Sequence, residues 1–293
     1  WQSTAGLSGE VVPLESGKSH TYQEIFQQPQ VISRLFAAWA LTPALAENRA
    51  VKMLQECSEV LLLGCGSSYY AASVVAMWIE RGLGILARCQ LASSYRQMPQ
   101  VLRPNTLVVT FSQSGETMDT LLALKHIQEK NTQGVKTLAV VNRVHASLAR
   151  LSDALLDCRA GCEVGVATTK AFTAQLSVCW CWVRGALALG NADGQRKSVL
   201  DMWHIGGECF LDAVKEALSL DDAIAKVAQT LKNESSMYFL AKADGAPVAF
   251  EGALKMKELA YIHAEATQSA ELKHGPLALV TEGFACVMLV QGG

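Results

Sequence analysis

The sequence predicts an α/β protein: two doubly wound parallel-sheet domains in three α/β/α layers, the second of them incomplete. Three observations carry this. Short apolar runs rich in β-branched residues alternate with helical stretches, the pattern of right-handed βαβ crossovers. Two of these runs end in Gly- or Ser-rich turns that open into helices: Val60–Leu63 before Gly64-Cys65-Gly66-Ser67-Ser68, and Leu107–Phe111 before Ser112-Gln113-Ser114-Gly115-Glu116. The first of these patterns then returns after Tyr238, the mark of an internal repeat.

At 293 residues the chain can bury two medium cores. Half of it is hydrophobic and 18% is charged, with a mean hydropathy of +0.19, which suits parallel sheets covered on both faces. The longest apolar stretch, Ala171–Leu189, contains Gln175 and Arg184 and reads as a buried core helix, so no membrane association is expected. A net charge of −2 offers no basic face to nucleic acid. The expected partners are small molecules and further copies of the chain. Nine cysteines without a CxxC pair read as reduced core residues of a cytoplasmic protein. The close pairs Cys158/Cys162 and Cys179/Cys181 lack a nearby histidine, so no metal is expected. No signal peptide is visible, and a start at Trp1 without methionine reads as a fragment or processed product.

Taken in order, residues 1–50 form a linker and lead-in helices. Ile25, Phe26, Val31, Ile32, Leu35 and Phe36 recur at helical spacing across Tyr22–Arg49, with an interruption at Pro29. Residues 51–195 make the first domain. Its strands are Val60–Leu63, Leu86–Leu91, Leu107–Phe111, Thr137–Val141 and Ala154–Asp157; its helices include Tyr69–Glu80, one starting at Thr117, and Ala171–Leu189. Residues 196–293 hold connecting helices and a truncated second domain. Leu200, Phe210, Val214, Leu218, Ile224, Val227 and Leu231 give the connecting helices an apolar side. In the repeat, Leu62-Leu63 pairs with Phe239-Leu240, Ala92–Arg96 with Ser269–Lys273, and Val108–Gly115 with Val287–Gly293. The chain then stops where the second phosphate loop would fall, a block of roughly 75 residues short of the first copy. An open sheet edge is expected there.

Candidate chemistry follows from the turns. Ser112, Ser114 and Thr117 place hydroxyls and backbone N–H groups before a helix N-terminus, where a phosphate is favoured. The alternative is a tight turn with Ser114 as N-cap. Ligands of such sheets sit at the carboxyl ends of strands, where Ser68 also falls. Gly64-Cys-Gly-Ser-Ser-Tyr69 lacks the third glycine of a dinucleotide fingerprint, so no nicotinamide cofactor is expected. The glycine-punctuated loop Gly161–Lys170 either caps the following helix or closes over a sugar. Lys255 and Glu258, three apart, share a helix face, as a surface salt bridge or as proton-transfer groups, and His274 precedes Gly275-Pro276. Moving a proton between adjacent sugar carbons needs a carboxylate, and ring opening needs an acid/base such as histidine.

The segments GCGSSYYA, TFSQSGETMDTL, AGCEVGVATTKAFTAQL and EGALKMKELAYIHAEATQSAELKHGPLALV resemble the isomerase half of the glutamine:fructose-6-phosphate amidotransferases, which is built from two sugar isomerase (SIS) domains. The resemblance runs from about Glu24 to Val280. It implies fructose 6-phosphate as substrate and glucosamine 6-phosphate as product, with the phosphate on Ser112, Gln113, Ser114 and Thr117. Ser67, Ser68 and the loop bearing Val166 and Thr168 would contact the sugar. Glu258 would move the C1/C2 proton, Lys255 would support the enolamine, and His274 would open the ring. No cofactor is implied; a homodimer is, with His274 reaching the neighbouring subunit's site, as is a glutaminase domain upstream. The family's glutaminase domain and its C-terminal lysine tail are missing from this sequence. Thr168 and Ser67 stand where serine and threonine are usual, and Ala241-Lys-Ala243 where glycines are usual. The alternatives are a stand-alone SIS deaminase of glucosamine 6-phosphate and a non-catalytic sugar-phosphate sensor.

Overall fold

A computed structural model describes residues 17–40, 47–130, 134–190, 207 and 209–290. The chain divides into two compact units, Trp1–Lys215 and Glu216–Gly293. The expected linker at the N-terminus and Leu200 lie outside the described residues.

Three helices open the first unit: α1 (His20–Phe26), α2 (Gln28–Ala40) and α3 (Arg49–Glu56). Ser19 Oγ caps α1 by accepting from Tyr22 N, and Asn48 caps α3 by accepting from Ala50 N and Val51 N. The interruption expected at Pro29 falls at Gln27, with the proline in the first turn of α2, where its missing N–H costs nothing.

The sheet has strands β1 (Glu59–Gly64), β2 (Leu86–Leu91), β3 (Thr106–Ser112), β4 (Lys136–Val141) and β5 (Ala154–Asp157), in the order β2-β1-β3-β4-β5. All four pairings are parallel. Between the strands run α4 (Ser67–Leu83), α5 (Ala92–Tyr95), α6 (Met118–Glu129) and α7 (Ser147–Leu151), and α8 (Lys170–Gly190) follows β5. Every residue of β1 and β3 is buried, and alternation sorts their side chains between two layers. Val60, Leu62, Val109, Phe111, Leu138 and Val140 pack with residues of α3, α4 and α8, among them fully buried Trp182. Leu61, Leu63 and Val108 face Tyr95 and Ile127, while Ala139 and Val141 face Leu124 and Leu148. The order of the strands reverses between β1 and β3. In open sheets the crevice at this reversal, beyond the strands' carboxyl ends, takes the ligand.

At the opposite end of the sheet, buried Glu59 joins three strands. Its Oε1 accepts from Thr106 Oγ1 at 2.8 Å, from an Arg88 guanidinium nitrogen at 3.0 Å and from Arg103 N at 3.3 Å.

The second unit contains α9 (Asp221–Leu231), β6 (Ser236–Ala241), α10 (Ala246–Lys255), β7 (His263–Gln268) and β8 (Ala285–Leu289). Its parallel sheet runs β7-β6-β8, the same arrangement as β2-β1-β3. Gly64 pairs with Leu91 as Ala241 pairs with Gln268, which agrees with the repeat read from the sequence. One part of that alignment is corrected. Leu62 pairs with Val109, and Phe239 with Val287, so the counterpart of Val287 is Val109 and not Val108. A slip of one residue exchanges the faces of a strand, and Val109 and Val108 lie in different cores.

Strand β8 forms an edge of this sheet, and Met288 on it is 59% exposed. Among the described residues, Ile224 and Val227 of α9 are exposed, while Leu231 packs against the second unit's core. Helical periodicity identifies an amphipathic face and not what covers it. Cys158, Cys179 and Cys181 are buried, whereas Cys209 and Cys286 are exposed, so the cysteines are not all core residues. Among the described residues no helix is long and apolar enough to cross a membrane.

Candidate functional site

The turn after β3 is built by its own hydroxyls. Buried Ser112 holds its Oγ 2.8 Å from Thr117 Oγ1 and accepts from Gly115 N at 2.9 Å. Gly115 has φ +66°, and a Cβ there would run into Ala146 and Val141, so the turn closes tightly only with glycine. Ser114 Oγ accepts from Glu116 N at 3.1 Å. The loop after β4 supports the turn from below: Asn142 N donates to Gln113 O and Leu148 N to Gly115 O. Glu116 Oε1 accepts from Ser147 N at 2.7 Å, and that bond holds the Glu116 carboxyl below its ordinary range.

Two expectations change here. The N-cap of α6 is Thr117 and not Ser114, because Ser114 is turned back into the loop. The N–H groups of Gly115 and Glu116 are not left for a ligand, since serine hydroxyls already take them. What remains open is the start of α6 itself. Thr117 shares its hydroxyl with Ser112 and makes no capping bond, which leaves first-turn N–H groups of α6 without a side-chain cap. Ser112 and Thr117 come together, whereas Gln113 and Ser114 line the turn half-buried beside them.

The turn after β1 is similar. A Cβ on Gly64 would lie 2.9 Å from the Ser68 and Tyr69 backbone, and Gly66 turns with φ 55°. The chain thereby enters α4 at Ser67 with no side-chain cap. Ser67 is buried, and Ser68 Oγ accepts from Gln175 Nε2 of α8 at 3.0 Å. Both turns lie at the carboxyl ends of the two strands that flank the reversal.

The loop before α8 is pinned by buried charge. Glu24 of α1 accepts from Val164 N and Gly165 N, with contacts of 2.5–3.3 Å. Glu163 Oε1 accepts from Thr169 N at 2.9 Å and from Ala171 N at 3.1 Å, and so the loop caps α8 through a carboxylate. Lys170 Nζ donates to Gln27 Oε1 at 2.7 Å and to Cys162 O. Burial pushes the Glu163 carboxyl up and the Lys170 ammonium down. Val166 stands at the loop's crest, 92% exposed, with Thr168 half-buried behind it.

In the second unit, α10 ends at Lys255 and the backbone widens into a π-helical turn, Met256–Ala260, stopped by Tyr261 at φ 56°. Such turns are rare and recur at functional sites. Lys255 Nζ lies 3.3 Å from Glu251 Oε1 and 2.5 Å from Glu258 Oε2. The side chains of Lys255 and Glu251 are largely buried, 20% and 9% exposed, while that of Glu258 is 34% exposed. The sequence reading missed Glu251, although it sits four residues before Lys255 on the same helix face. His274 is exposed at the end of the short turn Leu272–His274, and Tyr238 Oη of β6 donates to Pro276 O at 3.2 Å just beyond it. Chemically, the first unit offers hydroxyls and uncapped helix starts suited to an anion. The second offers a lysine between two carboxylates and an accessible imidazole, groups able to hold and transfer protons.

Comparison with known proteins follows the same lines. The SIS domain family model matches residues 53–183 and 230–293. A glutamine–fructose-6-phosphate aminotransferase (isomerizing) of Bordetella pertussis is 41% identical over 269 residues, covering 91% of this chain and 43% of that protein. The chain thus spans under half the length of this relative. The C-terminal domain of glucosamine-fructose-6-phosphate aminotransferase from Francisella tularensis is 32% identical with a TM-score of 0.89, over 97% of this chain and 79% of that one. Glucosamine-6-phosphate deaminase from Thermotoga maritima is 27% identical with a TM-score of 0.70, over 92% and 76%. With the repeated sheet order, the two matched segments and these relatives in agreement, the chain belongs to the SIS domain family.

Proposed function

We propose that this chain is the sugar-converting part of a glutamine–fructose-6-phosphate aminotransferase, acting on fructose 6-phosphate to give glucosamine 6-phosphate with nitrogen that originates in glutamine. The observation that carries this reading is the Ser112–Thr117 turn, a hydroxyl-lined helix start at the sheet's strand reversal with no side-chain cap. Ser112, Gln113, Ser114 and Thr117 hold the phosphate dianion by hydroxyls and the helix dipole. Ser67, Ser68, Val166 and Thr168 contact the sugar. His274 moves the proton that opens the ring. Once ammonia has added at C2 and the C2 oxygen has left as water, Glu258 takes the proton from C1 and returns it at C2, while Lys255, held between Glu251 and Glu258, supports the enolamine between those steps. The identity to the Bordetella and Francisella proteins supports this reading. A homodimer and a cytoplasmic location accompany the proposal.

Calorimetric titration tests it. Fructose 6-phosphate is expected to bind and fructose to bind at least tenfold more weakly, about 1.4 kcal/mol being a factor of ten. In deuterium oxide, Glu258→Gln is expected to slow C1 proton exchange by roughly a hundredfold or more while binding persists. Equal affinity for the two sugars, or exchange at the wild-type rate in that variant, would refute the assignment.

A second reading, deamination of glucosamine 6-phosphate, draws on the similarity to the Thermotoga deaminase. Release of ammonia from glucosamine 6-phosphate faster than its formation would favour it.

A further inference from the structure

The sugar-binding turn after β1 contains a hydrogen-bond asymmetry. Gln175 on α8 is 1% exposed, and its Nε2 donates to Ser68 Oγ at 3.0 Å. The Oε1 of the same amide is buried without a hydrogen-bond partner among the described residues. A side chain whose task was only to fasten α8 to α4 would do so better without that oxygen, since a buried acceptor left unpaired is costly and an apolar side chain of the same length carries no such cost. The donor is therefore the feature that needs a purpose.

A serine hydroxyl has one proton to give and two lone pairs to accept with. Ser68 Oγ has an acceptor role fixed by Gln175, and among the described residues its own proton goes to no acceptor. Other serines on the same two helices behave differently. Ser73 Oγ donates to Tyr69 O at 2.9 Å, and Ser177 Oγ donates to Thr173 O at 2.7 Å, each to the carbonyl one turn back. Both lie in helix interiors, whereas Ser68 is the second residue of α4 and has no helical carbonyl one turn back to take its proton.

We propose that Gln175 is a positioning residue that sets the polarity of Ser68, so that Ser68 presents a hydrogen, and not a lone pair, to an oxygen of the bound sugar phosphate. The inference rests on the reading of this turn as a sugar-phosphate site. It adds a specificity rule: the ligand must offer an acceptor oxygen to Ser68, and an analogue lacking that oxygen loses a bond the protein has oriented in advance.

The test is a double-mutant cycle on the full chain, with fructose 6-phosphate affinity measured by calorimetry and melting temperature measured alongside. Gln175→Met removes the donor at similar length, and Gln175→Leu does so with a different shape, so that one variant serves if the other fails to fold. Each is expected to weaken binding about tenfold, close to the loss in Ser68→Ala alone. In the Ser68→Ala background neither is expected to weaken it further, because Gln175 acts only through that hydroxyl. A purely structural role would instead weaken binding by the same factor in both backgrounds, and that outcome overturns the proposal. Wild-type binding with both Gln175 variants within about twofold of it overturns this inference alone. Absence of any sugar-phosphate binding by the wild type overturns the functional reading as well.

Discussion

Ser112 Oγ lies 2.8 Å from Thr117 Oγ1, so the last residue of β3 and the residue that starts α6 are joined directly across the turn between them. The same Ser112 oxygen accepts from Gly115 N, which makes one buried hydroxyl the hub of the turn. Ser112→Ala removes both bonds and strands a buried N–H. The expected cost is about 1–3 kcal/mol of stability, with at least a tenfold loss of sugar-phosphate affinity. Urea unfolding and calorimetry measure the two effects. Wild-type affinity in this variant would show that the turn does not shape the anion site.

Glu251 and Lys255 form a largely buried pair, with Nζ and Oε1 3.3 Å apart. Removing Glu251 takes one of two carboxylates from Lys255 and leaves the shorter contact to Glu258 in place, so Glu251→Ala is expected to cost about 1–2 kcal/mol. Exposed Lys257 next door provides the control: Lys257→Ala should stay within about 0.5 kcal/mol of wild type. Equal unfolding midpoints for the two variants would mean that the pair contributes nothing.

Ala243 carries φ 47°, a left-handed conformation that its Cβ opposes. It occupies the turn after β6, and aligning Gly64 with Ala241 makes Gly66, at φ 55°, its counterpart in the turn after β1. Ala243→Gly relieves the strain and is expected to stabilise the second unit by about 1 kcal/mol. Thermal melting of the two proteins decides this, and a lower melting point in the variant would contradict it.

The carboxyl of Glu59 feels opposing influences. Burial pushes it up, but the Thr106 hydroxyl, the Arg103 N–H and the Arg88 guanidinium outweigh that and hold it below the ordinary 4.5. The folded protein thus binds this proton less readily than the unfolded chain. The resulting stability is fully present above pH 4.5 and is lost as acid carries the pH down through the depressed folded value. Glu59→Gln is expected to be less stable at neutral pH and to lose less on acidification from about pH 5 to 3. Parallel acid-unfolding slopes in the two proteins would show that Glu59 is not responsible.

Much of this architecture was legible in the sequence because buried parallel strands write themselves as short β-branched runs. Val60–Leu63 and Leu107–Phe111 both lie inside β1 and β3. The repeat was legible too, but its last register slipped by one, since a run such as Val108-Val109 is apolar on both faces and carries no phase. The capping of α8 by Glu163 and the clamp by Glu24 were hidden, because both depend on burial of a carboxylate against backbone N–H groups, which composition does not reveal. The π-helical turn at Glu258 was equally invisible, since a single widened turn at a helix end is too short to alter the apolar pattern.

The shared strand order of the two sheets has a consequence for how such a protein diverges. The repeated sheet supplies the same strand-to-helix turn twice, and the two copies carry different residues. Gly64 and Gly66 fit the first turn, and Ala241 and Ala243 stand at the matching places of the second, with positive φ at both Gly66 and Ala243. The helix behind the second turn carries Glu251 and Lys255, with Glu258 just past its end. One strand order thus carries two chemistries, hydroxyls in the first unit and ionisable groups in the second.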